Sequence, residues 1–149
     1  RAIGFVPPTG PRDAHVAWVG GGPDEAAAEF GAPFNEHSPT GARLTKWMHR
    51  SGGQRTEQLL GNVVWCWLPE SKPGGRPKGN REPTRPEVAA CWQRHVGPWL
   101  ASLPNVEHVV AVGVPATKWL LGLPWDRAAE RYAGTTQLVE LPLLEAPSA

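Results

Sequence analysis

The chain has 149 residues, 40% of them apolar, and a formal net charge of +1. That apolar content suffices for one domain with a continuous core, and a charge so near zero excludes a broadly basic nucleic-acid binder, so any such contact must come from a local patch. No apolar run approaches about 18 residues and no signal-peptide pattern opens the sequence, which predicts a single cytoplasmic domain over residues 1–149, without a membrane partner.

In chain order, residues 1–11 (RAIGFVPPTGP) carry prolines and no period, and read as an extended arm. Residues 16–19 (VAWV) are short and partly β-branched, as a buried first strand would be. Gly20, Gly21, Gly22 and Pro23 follow, then Asp24 and Glu25. Glycines behind a strand admit a closely approaching ligand, and also make an ordinary tight turn; both readings stay open. Residues 24–30 look helical, with Asp24 placed to accept from unpaired amides. Residues 31–40 form a loop bearing Phe34, Asn35, Glu36 and His37. Residues 41–50 read as a helix, since Leu44, Trp47 and Met48 fall at i, i+3 and i+4.

A second buried strand is expected at residues 62–67 (NVVWCW). Residues 68–86 then hold Lys72, Arg76, Lys78, Arg81 and Arg85 among prolines and glycines. That loop is either simply solvated or a track for phosphates. Thr84 and Glu87 have the spacing of a capping box, opening a helix through Cys91, His95 and Trp99 to about Pro104. Residues 106–112 read as a third strand, residues 115–121 as a helix and residues 138–141 as a fourth strand. Alternating strands and helices imply an α/β fold with a mainly parallel sheet covered on both faces. The eight tryptophans occur in apolar runs, which places most of them in the core.

Five ordered segments resemble the uracil-DNA glycosylase superfamily, closest to its family 4 branch and to related phage and bacterial glycosylase-like domains. They are FVPPTGP (5–11), VGGGPDEAAAEFGAPF (19–34), GNVVWC (61–66), GNREPTRPEVAAC (79–91) and HVVAVGVPATKWLLG (108–122). The resemblance implies a three-layer α/β/α fold on a short, mainly parallel four-stranded sheet. It also implies a pocket at the strand ends that takes in one extruded base. Phe34 matches the family's stacking phenylalanine and Asn62 its uracil-reading asparagine, with Gly22 at the same pocket. An asparagine amide can donate to one pyrimidine atom and accept from its neighbour.

The pattern departs from the family where the chemistry lies. Glycosidic cleavage passes through an oxocarbenium-like state that a nearby anion favours. The family's first-motif glutamate falls on Gly21, its following glycine on Asp24 and its downstream glutamate on Ala27. Ala146 stands where the second motif has a histidine. Asp24, Glu25 and His37 are the candidates for the lost chemistry; a helix cap and an exposed loop histidine are the plainer explanations. Cys66 and Cys91 fall on two of the family's four iron–sulfur ligands. Two free thiols and no cofactor is the expectation, a [4Fe-4S] cluster being the alternative if two further thiolates come from outside this chain. Lys72, Arg76, Lys78 and Arg81 are the candidate DNA-backbone contacts. Two functions are therefore expected. One is a DNA-binding protein reading a flipped pyrimidine and excising uracil or a modified pyrimidine, partnered by single-stranded DNA or DNA with an extruded base. The other is a catalytically inactive module of the same fold that binds nucleic acid or a replication or repair protein, in either case associated with the nucleoid.

Overall fold

Ala17 and Val19 are fully buried, and Trp18 between them turns to the opposite face, where it is half-buried. A period-two strand apolar on both sides belongs in the middle of a covered sheet. The computed structural model describes residues 4–121, and there β1 (Val16–Gly20) is the central strand. It lies between β2 (Leu59–Asn62) and β3 (His108–Ala111), parallel to both, in the order β2-β1-β3. The register pairs Gly20 with Asn62 and Val19 with Ala111.

The described residues form five α-helices: α1 (Glu25–Phe30), α2 (Pro39–Arg50), α3 (Arg85–Cys91), α4 (Gly97–Ala101) and α5 (Val114–Leu121). On one face Ala17, Val19, Leu59 and Val109 pack with Val88, Trp92, Val96, Leu100 and Leu120 from the helices. On the other, Leu60 packs with Phe34 and with Leu44 and Met48 of α2, with Trp18 and Val112 against them. The α/β expectation therefore holds, with helices on both faces. The described sheet has three strands rather than the expected four; residues 138–141, assigned to the fourth, lie outside the described residues.

α3 passes into α4 through a π-helical turn, Trp92–Val96. Val88, Trp92, Val96 and Leu100 are spaced by four, which on a regular α-helix would drift by about 40° per step. A wider π turn absorbs that drift, and all four side chains are buried in the same core.

The second strand is displaced from its expected place at residues 62–67 to Leu59–Asn62. The apolar run does not end at Asn62, since Val63, Val64 and Trp65 are buried too. What ends is the partner: the Val63 N–H donates to the Gly20 carbonyl at 2.8 Å, and beyond Gly20 the glycine turn leaves the sheet. Residues 65–67 pair instead with the amino-terminal arm, Val6 N–H to the Trp65 carbonyl and Trp67 N–H to the Gly4 carbonyl, both 2.7 Å. The same arm pairs antiparallel with β2 through Thr9 and Leu60, two bonds of 2.8 Å. Trp65, Trp92 and Trp119 are buried as expected, whereas Trp47 is 48% exposed.

Candidate functional site

The carboxyl end of β1 is the point where the sequence reading and the structure meet. A Cβ added to Gly20 would lie 2.6 Å from Phe34 Cζ and 2.7 Å from Asn62 Oδ1. The phenyl ring and the amide therefore converge on one point, over a residue that has to lack a side chain. Asn62 arrives there because β2 ends opposite Gly20. Phe34 arrives by an unusual backbone, with φ at 51°, the one left-handed non-glycine among the described residues. Such conformations cost about 1–3 kcal/mol and persist where surroundings impose them.

Here the surroundings are Arg55 and α2. The Arg55 guanidinium donates to the Pro33 carbonyl at 3.0 Å and to the Phe34 carbonyl. Burial lowers its pKa, opposed by the charge of Glu36, which lies 3.9 Å away. Gly41, in the first turn of α2, packs so closely on the Phe34 and Asn35 carbonyls that no Cβ fits there. Ser38 caps α2, its hydroxyl accepting from Gly41 N–H at 3.1 Å and donating to the Asn35 carbonyl at 2.9 Å. Asn62 is 2% exposed, and its side-chain amide has no hydrogen-bond partner among the described residues. An amide without protein partners is open to a ligand that supplies both a donor and an acceptor.

The glycine turn separates this point from a cavity of about 490 Å³. Gly22 lines the cavity together with Gly21, Asn80, Arg81, Glu82 and Lys118, whereas Phe34 and Asn62 do not. The three base-binding candidates thus divide, two at Gly20 and one at the cavity. Lys118 is buried there and pairs with Glu82 at 3.1 Å.

The acidic candidates have structural partners. Asp24 caps α1, its Oδ1 accepting from Ala27 N–H at 2.8 Å. Glu25 pairs with Arg76. His37 is exposed and stacked on Phe30 at 4.4 Å between ring centres. The expected phosphate contacts also divide. Arg76 is held by Glu25, and Arg81 makes two bonds of 2.8 Å to Glu87. Lys72 and Lys78 are exposed, with no side-chain partner among the described residues. Cys91 accepts from Trp65 N–H at 3.3 Å, and burial pushes its pKa up, with the nearby Cys66 adding to the rise. No group of three or more His, Cys, Asp or Glu residues is arranged for a metal among the described residues. Cys66 and Cys91 would supply two of the four thiolates that a cubane cluster takes.

Sequence reasoning missed Arg55 and the role of Gly20. Arg55 sits in a polar connection and acts on backbone carbonyls, which leaves no local signature. Gly20 was visible only as one glycine of three. Ala146, at the second motif, lies outside the described residues.

The model of the uracil DNA glycosylase superfamily matches residues 7–148, and the chain belongs to that superfamily. Among individual proteins it is similar to the type-4 uracil-DNA glycosylase of Thermotoga maritima, 32% identical over 112 residues, covering 73% of this chain and 50% of the relative. The type-4 enzymes of Pyrobaculum aerophilum and Archaeoglobus fulgidus are 32% and 30% identical over 126 and 119 residues. Those alignments cover 83% and 80% of this chain, and 56% and 53% of the relatives. The chain thus spans about half the length of the curated relatives it matches. Among the described residues no helix is long and apolar enough to cross a membrane.

Proposed function

We propose that this domain binds DNA and reads an extruded pyrimidine at Gly20, Phe34 and Asn62, excising uracil or a modified pyrimidine. The observation that carries the reading is the convergence of the Phe34 ring and the unpartnered Asn62 amide on Gly20. Lifting a base from its stack costs a few kcal/mol, and a stacking face with a two-way hydrogen-bonding amide is what offsets it. The three similar proteins are named as uracil-DNA glycosylases, which supports the same substrate class here.

A second reading, an inactive module that keeps base recognition, has its own support. Asp24 is engaged as a helix cap and Glu25 as an ion-pair partner, and Gly21 stands where the family has a glutamate. One experiment separates the two. Single-stranded oligonucleotides with and without one uracil are tested for binding by anisotropy and for alkali-labile breaks after incubation. The proposed function expects tighter binding of the uracil strand, a preference reduced about tenfold or more in Asn62→Ala, and breaks at the uracil. Preference without breaks selects the inactive module, and neither preference nor breaks rejects both readings.

A further inference from the structure

α2 has two unlike faces. Leu44 and Met48 point inward and pack with Phe34. Arg43, Lys46, Trp47 and Arg50 are all exposed. On a helix of 3.6 residues per turn these four fall within an arc of about 100°, along about 10 Å of axis. α2 contains no Asp or Glu, and none of the four side chains has a hydrogen-bond, ion-pair or ring partner among the described residues. Attraction to the helix dipole accounts for Arg50 in the last turn, but not for Arg43 or Lys46 farther in. Nor does packing account for a tryptophan left 48% exposed between them.

From this juxtaposition we infer that the outer face of α2 is a docking surface for single-stranded DNA, its three cations tracking phosphates and Trp47 stacking on one base. The inference rests on the reading that the domain acts on DNA, and adds a surface to it. Cations without counter-charges select a polyanion, and an open indole among them selects one whose base faces are free, which a duplex hides. The location agrees: the start of α2 is pressed against the Phe34 and Asn35 carbonyls, so the surface adjoins the loop that holds the base-reading ring.

The test measures anisotropy of labelled single-stranded DNA, with and without one uracil, from about 50 to 200 mM salt. The proteins are the wild-type chain, the triple variant R43Q/K46Q/R50Q, Trp47→Ala and Trp47→Phe. Loss of three phosphate contacts should flatten the slope of log affinity against log salt by about 2. Trp47→Ala should weaken binding by roughly 5- to 150-fold, with most of it restored in Trp47→Phe. Unchanged slope and affinity in these variants overturn the inference, even if the uracil preference persists. A flattened slope without any uracil preference in the wild type leaves this surface standing and removes the base-reading site. Tighter binding of RNA of the same sequence through these residues overturns the assignment to DNA, and a wild-type chain that binds no oligonucleotide at low salt overturns both.

Discussion

Phe34 holds a backbone conformation that phenylalanine would not choose, and Arg55 is the group that makes it stable. Replacing it by Arg55→Met keeps the aliphatic stem but strips two carbonyls of a charged donor. We expect a loss of about 1.5–3 kcal/mol in urea unfolding, together with a weaker preference for uracil-containing DNA. Gly20→Ala tests the same point from beneath. Its methyl would have to displace the Phe34 ring and the Asn62 amide, whose nearest atoms lie 2.6 and 2.7 Å from it. Both are ends of side chains that can swing aside, so the domain should still fold, about 1–3 kcal/mol less stable, while base discrimination is lost. Phe34 and Asn62 were legible because the segments around them resemble a known family. Arg55 was not, because an arginine that serves main-chain carbonyls across the fold leaves no spacing to read.

Among the elements, α3 illustrates what local chemistry specifies. Thr84 and Glu87 do form the reciprocal cap that their spacing predicts, the carboxylate accepting from the Thr84 N–H at 3.0 Å and its hydroxyl at 2.8 Å. Arg81 completes the arrangement, and its hydrogen bonds, followed by those from Thr84, lower the Glu87 pKa from 4.5 to about 2. A carboxylate more acidic when folded than when unfolded stabilises the fold above its unfolded pKa, and loses that contribution as pH falls through the folded value. The stability gap between wild type and Glu87→Gln should therefore be widest above about pH 5 and shrink toward about pH 2, followed by urea midpoints. The starts of α1 and α3 were readable from such caps, whereas α2 begins at Pro39, behind a Ser38 cap, rather than at the expected residue 41. The boundary of β2 was not readable, because apolar residues run on both sides of Asn62 from Leu59 to Trp67 and only the end of its neighbour decides where the ladder stops. The π turn was equally hidden, although a run of buried residues spaced by four is a trace of it.

Over the whole molecule, the two cores divide the chemistry of the chain. Cys91 belongs to the core under α3 and α5, while Cys66 is exposed at the large cavity. With its thiol buried and its pKa raised, Cys91 should resist iodoacetamide in the folded state, and Cys66 should alkylate first. Peptide mass spectrometry over a time course checks this; equal rates would contradict the burial. The α/β class, the parallel order and the two covered faces could be read from alternating segments alone. The split between the Phe34–Asn62 point and the cavity lined by Gly22 could not, since it depends on how three successive glycines turn.

The arm beside β2 matters for more than local pairing. Thr9 saturates the outward N–H and C=O of Leu60, on the side of the sheet that β1 does not cover. An unprotected edge is a template for any other extended chain. Proteolytic nicking just after Gly10 would therefore bare the outer edge of β2, with association rising with concentration and abolished when the excised peptide is added back.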